Sequence, residues 1–423
     1  MTLPTVISQI SPVSIAARIG GLPLILRHLK ELHKLGLKTF YLDRFTNDPR
    51  SLTDRLPRDI SLSILPSDLS PRNQQLHQLA ETLEGILFLR GDWLIDPRLL
   101  RPLIDATKPI WLPSPTTTAP PSQMISQSQP LMVAARLSPK LTQQWIQADV
   151  TWTPEAPTLE VDALDTYLPS HRGDQPFYLQ AVTTLEESVA ATQTLIQAAQ
   201  KQTLDLPAQW LHPFFENRIV LGLCKTRITP NHVTLATAFL GAFIALLFLN
   251  GMLRWGVLLA YLVAILDGVD GKLARTTLQT SRLGEVEHVI DFFVEQAWYF
   301  CLTLYFVNHT VQPIIGHPLL GWIGGILMVS DVFDKLLYMW GHTAFGKHLD
   351  ELSPFDRRFR LIGGRRNVYL WFFILGFWSG NPVPAFIAAS LWALCTALVH
   401  SGRFLYHTRH RAPSGISLGQ SAS

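Results

Sequence analysis

The stretch "LDGVDGKLARTTLQTSRLGEVEHVID", residues 266–291, decides how this chain is read. It follows "WGVLLAYLVAI", which is free of charge and long enough with its neighbours to cross a bilayer. An apolar run that ends in two aspartates, a lysine and an arginine needs a reason. An Asp within a membrane helix costs on the order of 3 kcal/mol on insertion scales. Asp267 and Asp270 are three residues apart, so a helix places both on one face. Two carboxylates there repel, and a hard divalent cation offsets that cost. Mg²⁺ prefers carboxylate oxygens together with substrate phosphates. Gly271 and Ala274 are small and at helical spacing, which lets a bulky ligand approach. Arg275 adds a fork of donors suited to phosphate. Glu287, Asp291 and Glu295 then follow at intervals of four and form one stripe, with His288 beside it. If that helix faces the first, four carboxylates surround two metal ions, Mg²⁺ or Mn²⁺.

Outward from this stretch, residues 229–408 read as an all-α membrane domain of six spans, at about 231–250, 254–274, 285–308, 314–340, 366–380 and 382–406. Connections holding Lys272, Arg275 and Arg282, and then Lys347, Arg357, Arg358, Arg360, Arg365 and Arg366, are basic. The alternate connections "VNHTVQPIIGHP" and "SGNPVP" hold no Lys or Arg. That asymmetry predicts an integral protein of the inner or plasma membrane with both termini cytoplasmic. Arg365 and Arg366 follow two glycines and suit an acceptor or lipid phosphate; positive-inside anchoring explains them equally.

Residues 1–204 have a different character. "PLILRHLKELHKLGL", "QQLHQLAETLEG", "PRLLRPLIDAT" and "LEESVAATQTLIQAAQ" read as helices, and "KTFYLDR", "ILFLRGD" and "PIWLPSP" as strands. This alternation predicts an α/β domain built on an open, mostly parallel sheet. "SPTTTAPPSQMISQSQP" reads as an exposed loop. Residues 205–228 read as an amphipathic helix at the membrane interface, and 409–423 as a disordered tail. The opening residues lack a basic segment followed by a long apolar core, so no cleavable signal is expected. A net charge of +3 implies no nucleic-acid partner. Cys224, Cys301 and Cys395 form no C-x-x-C pair, and neither a disulfide framework nor a zinc site is expected.

The second half resembles the CDP-alcohol phosphotransferases, whose signature is D-x-x-D-G-x-x-A-R, eight residues, then G-x-x-x-D-x-x-x-D. Asp267, Asp270, Gly271, Ala274 and Arg275 match its first part, and Gly284 follows after eight residues. The resemblance covers about residues 207–406 and implies a metal-dependent enzyme of phospholipid or polyol-phosphate diester synthesis. Such an enzyme moves a substituted phosphate from a CDP-alcohol to an acceptor hydroxyl and releases CMP. The first three acids would bind metal and the fourth would take the proton. In strict register, however, the last two aspartates fall on His288 and Phe292. A loop one residue shorter puts Glu287 and Asp291 there, with Asp291 as the base. His288 remains the alternative ligand or base. A lipid bilayer and a second copy of the chain are the expected partners. A transporter using intramembrane acids and a non-catalytic scaffold are the competing readings.

The first domain resembles the sugar-phosphate nucleotidyltransferases over "GGLPLILRHLKELHKLGLKTFYL" and "ILFLRGDWLIDPRLL", which implies a metal-binding role for Asp92. The Gly-rich loop that would cradle a triphosphate is replaced by "ISPVSIAARIGG", where Arg18 and Gly20–Gly21 stand in. The expectation is a degenerate domain with a binding or structural role. An active cytidylyltransferase that makes the CDP-alcohol is the alternative.

Overall fold

The computed structural model describes residues 3–8, 17–45, 50–82, 85–115, 130–148, 152–279, 283–309 and 317–410, with the backbone alone at 50–51, 82, 283–288 and 317. The first domain is built on strands β1 (Thr5–Ser8), β2 (Thr39–Asp43), β3 (Ser61–Ile64), β4 (Ile86–Arg90), β5 (Ile110–Pro113) and β6 (Met132–Leu137). Their spatial order is β3-β2-β1-β4-β6-β5. The first four run parallel. β6 is antiparallel to both β4 and β5, so the sheet is mixed rather than parallel throughout. Every residue of β4, "ILFLR", is buried, as a strand covered on both faces requires.

Helices α1 (Leu24–Lys34), α2 (Leu69–Thr82), α3 (Pro97–Asp105), α4 (Pro139–Gln147) and α5 (Leu185–Ala198) belong to this domain. Their starts are written locally. Asp96 accepts from the Arg98 amide with Pro97 in the first turn of α3, and Thr184 with Glu187 closes a capping box on α5. Ile7, Leu26, Leu29, Phe40, Leu89 and Val133 are among the core residues beneath. Most of the Ser/Thr/Pro-rich stretch at 114–130, and the tail, lie outside the described residues.

The single interfacial helix expected over 205–228 is two pieces, Leu206–Trp210 and α6 (His212–Leu223). Trp210, Phe214 and Phe215 stay exposed on them. Six helices of 13 residues or more follow among the described residues: α7 (Pro230–Leu249), α8 (Leu253–Thr277), α9 (Leu283–His309), α10 (His317–Phe345), α11 (Arg366–Trp378) and α12 (Pro382–Arg409), with a short helical turn at Pro354–Phe359 before α11. They occupy the six expected positions. Only α7 and α12, among the described residues, are long and apolar enough to cross a membrane by composition. α8 and α10 carry acids and bases, and α11 has 13 residues. Trp298, Phe306, Phe373 and Phe386 lie in the core of the bundle, and Trp298 Nε1 donates to the Gly241 carbonyl at 2.7 Å.

The first domain is seated on the end of α8. Gly20 and Gly21 have φ of +57° and +77°, and a Cβ there would come within 2.5 Å of the Thr276 carbonyl oxygen and 2.6 Å of the Cys224 carbonyl oxygen. Arg27 donates to that Thr276 carbonyl and pairs with Glu31 at 3.0 Å. Leu278, the left-handed cap of α8, packs against the first-domain core. The glycines that stood in for a triphosphate loop are thus the contact between domains.

Candidate active site

α8 carries Asp267, which meets Arg366 of α11, and Asp270, which meets Thr234 of α7. Asp270 is 2% exposed; Thr234 Oγ1 from α7 donates to its Oδ2 at 2.8 Å, and the Gly271 amide to its Oδ1 at 2.6 Å. Asp267 accepts from Arg366 Nη2 at 2.5 Å. Asp291 on α9 comes within hydrogen-bond reach of Asp267, with Arg366 and Asp270 near enough to act on its charge. Asp267 and Asp291, from two helices, therefore come together beside one guanidinium, with Asp270 one turn along α8. Such a group requires compensating positive charge.

Phe292, the other register's candidate, instead lies under Lys335 Nζ at 5.1 Å from its ring centre. The side chains of Gly284, Glu287 and His288 lie outside the described residues. Glu295, one turn beyond Asp291, lies near enough to Arg366 to act on its charge and has partners of its own. It accepts from Lys335 Nζ at 2.7 Å and from the Tyr299 hydroxyl at 2.7 Å. Lys335 also reaches Asp331 at 2.8 Å, and His400 Nδ1 pairs with Asp334 at 2.5 Å. Sequence reasoning passed over Asp331, Asp334 and Lys335, although three charges within five residues of an apolar helix were a signal.

The residues expected at the substrate are divided. Arg275 Nε donates to the Ala199 carbonyl in the first domain at 3.0 Å, while its guanidinium lies over Gly271. The Ala274 carbonyl accepts from the Gln279 amide at 3.0 Å and closes the helix end. Arg366 enters the carboxylate group, whereas Arg365 points to Tyr338, 4.3 Å from its ring centre. In the first domain, Asp92 is 1% exposed, and both its oxygens accept from Arg90, at 3.0 and 2.9 Å.

Beneath Asp267, Lys272 Nζ meets Glu216 Oε2 at 2.8 Å and Asn217 Oδ1 at 2.7 Å, with Lys272 and Glu216 both buried. Gly268 has no room for a side chain, because a Cβ would overlap the Glu216 carboxylate. Burial pushes the Glu216 carboxyl up from its ordinary range, and Lys272 opposes the shift. Burial likewise lowers His212 to about 4, so it stands neutral beside Glu216. Lys272→Met removes one charge of a buried pair. It is expected to cost about 3 kcal/mol of stability, read as a lower Tm in detergent; a Tm within 1 °C of the parent would contradict that role.

As to a metal, all three carboxylates offer hard oxygens, the donor type that Mg²⁺ and Mn²⁺ take. Among the described residues, no three of His, Cys, Asp and Glu are already drawn in around one point. The donor set fits a divalent cation in kind, and Asp267 would have to share its contact with Arg366.

The carboxylates and the helices that carry them fall in one matched segment. Residues 227–351 match the family model of CDP-alcohol phosphatidyltransferases. The matched segment holds Asp267, Asp270 and Asp291 and ends before Arg365 and Arg366. The chain is 33% identical over 149 residues to the bifunctional IPC transferase and DIPP synthase of Thermococcus kodakarensis, which is 35% of this chain and 34% of that one. The protein of the same name from Archaeoglobus fulgidus is 29% identical over 168 residues, 39% of this chain and 33% of its own. The chain thus matches about a third of the length of these relatives. Two crystal structures of Mycobacterium tuberculosis phosphatidylinositol phosphate synthase are also similar. The one with CDP-DAG bound gives a TM-score of 0.36 at 19% identity, covering 50% of this chain and 100% of that one. The one with manganese and citrate gives 0.35 at 21% identity, covering 49% and 93%.

Proposed function

We propose that this chain is an integral membrane CDP-alcohol phosphotransferase whose site is the Asp267–Asp270–Asp291 group. The observation that carries the reading is the approach of Asp291 to Asp267, one turn from Asp270 and beside Arg366, within the matched segment. All six helices cross the bilayer in this reading. Their outward faces support it: Phe239, Trp322, Val329, Leu375 and Leu398 are each at least 63% exposed, the reverse of a water-facing surface. The exposed aromatics of 210–215 then lie at the interface, and the charge asymmetry of the connections puts the site on the cytoplasmic side.

Asp267 and Asp270, with Glu287 in the shorter-loop register, would hold Mg²⁺ or Mn²⁺. Bound there, the metal supplies charge neutralisation to the pyrophosphate oxygens and to departing CMP. The acceptor oxygen forms a bond to the β-phosphorus while the bond from that phosphorus to the bridging oxygen breaks, and CMP takes the electron pair. Asp291, opposite Asp267, receives the acceptor's proton. Arg366 holds Asp267 in place and adds positive charge at the phosphate side. Mass spectrometry on a panel of CDP-alcohols and hydroxyl acceptors tests the reading. Metal-dependent CMP release with at least one pair is expected. Silence across the panel, with folded protein, would defeat it.

The first domain serves as a seat for α8 in this account rather than as a second enzyme. Arg90 occupies Asp92, and Gly20–Gly21 abut the membrane domain. The full chain supplied with CTP and a phosphorylated alcohol is therefore expected to make no CDP-alcohol, by chromatography of the nucleotides. Robust product would restore the cytidylyltransferase alternative.

A further inference from the structure

The helix that leads into the bundle, α6, has two unlike faces. Phe214 and Phe215 are 56% and 41% exposed, and Trp210 just before the helix is 77% exposed. Arg218 lies one turn on from Phe214, with its guanidinium carbon 3.7 Å from that ring's centre, and is itself exposed. Lys225 and Arg227, after the helix, are exposed as well. Residues 206–228 contain one acid, Glu216, and it is buried. The outward side is therefore aromatic and cationic, with no acid to offset the charge.

The inward side is fitted to α8. Val220 belongs to one buried cluster with Val269 and Leu273 of α8 and Ile196 of the first domain. Glu216 fills the notch left by Gly268, the residue after Asp267, where a Cβ would come within 2.2 Å of its Oε1. Lys272 closes the contact through its bonds to Glu216 and Asn217. These contacts fall on both sides of Asp270 along α8. Interiors packed this closely transmit a displacement instead of absorbing it. A helix face of rings and cations fits a layer of anionic lipid head groups. The rings enter the boundary with the acyl chains, and the cations gain from the negative surface potential. We propose that α6 senses anionic phospholipid of the cytoplasmic leaflet and passes that contact, through Glu216 and Val220, to the turn of α8 that holds Asp270. The inference rests on the membrane placement and the site proposed above, and it makes the lipid surface a regulator. With anionic lipid against it α6 holds α8 firmly; on a neutral surface that turn is looser and phosphotransfer is slower.

The test compares backbone hydrogen exchange of the full chain in nanodiscs of phosphatidylcholine alone and of phosphatidylcholine with phosphatidylglycerol. Exchange over residues 212–223 and over 266–277 is expected to be about tenfold slower in the anionic discs. Arg218→Gln, Lys225→Gln and Arg227→Gln together change only exposed side chains and should erase the difference in both segments. Glu216→Gln should keep it over 212–223 and lose it over 266–277. In turnover, CMP release by the parent should rise about tenfold from neutral to anionic discs and stay level in the triple variant. Parent exchange that is equal in the two discs would overturn the proposal. So would slowing confined to 212–223, with α6 binding lipid but passing nothing on. A second copy of the chain seated on this face would show as a halved particle mass in Phe214→Ser protein, with exchange indifferent to lipid charge, and that too overturns it. Should Glu216→Gln fail to fold, Asn217→Ala removes one of the two bonds from α6 to Lys272 and gives the same separation. Because exchange is read without turnover, a chain that never releases CMP defeats the function proposed above and leaves the coupling to be decided by exchange.

Discussion

Asp270→Asn protein, folded and inserted, is expected to release CMP at least ~10³-fold more slowly than its parent. Asp270 accepts from Thr234 Oγ1 and from the Gly271 amide. An Asn oxygen can keep the Gly271 amide while its NH2 donates to Thr234 Oγ1, whose own hydrogen can go to the Pro230 carbonyl, so the fold has little reason to change. What disappears is the negative charge that a hard divalent cation requires, at a position 2% exposed where water cannot substitute. Asp267→Asn should behave similarly in turnover and in addition leave Arg366 without its partner at 2.5 Å. Undiminished CMP release by well-folded Asp270→Asn protein would refute the metal role.

Asp291→Asn is expected to lower turnover by roughly 10² to 10⁴, the range that a positioned base contributes. Its carboxylate lies within hydrogen-bond reach of Asp267, and in the proposed reaction it takes the proton of the acceptor hydroxyl. Loss of the base should spare binding of the CDP-alcohol, so kcat falls more than donor affinity. The same experiment addresses the register of the motif. In the shorter-loop register Glu287→Gln also loses most turnover, whereas His288→Ala loses less, because imidazole suits softer metals than Mg²⁺. Kinetics in which His288→Ala is dead and Glu287→Gln is active would reverse the assignment.

Much of this was legible because the local signals were strong. The six helical positions followed from runs of apolar residues, and the Asp267–Asp270 face from a spacing of three. Placing Asp291 opposite them needed only a stripe of period four. Where the reading fell short, the deciding contacts were distant in sequence. β1 is four residues, "TVIS", too short to stand out, yet it is a central strand because β2 and β4 pair on either side. Arg275 reads as a phosphate ligand from its motif, and that its Nε also bonds to the Ala199 carbonyl is a contact no spacing could show. Glu295 belongs to the acidic stripe, but its partner Lys335 lies forty residues on, which no local pattern could show. The Gly20–Gly21 turn read as the remnant of a nucleotide loop, and only the approach of Thr276 and Cys224 shows what its open space holds.

The central claim is that an acceptor hydroxyl attacks the β-phosphorus of a CDP-alcohol at the Asp267–Asp270–Asp291 group. Turnover with an acceptor carrying ¹⁸O in its hydroxyl tests it most directly. The label should appear in the phosphodiester, with CMP unlabelled, and both products should vanish in Asp270→Asn. A phosphodiester without label, a product that takes its oxygen from water instead, or labelled CMP would contradict it.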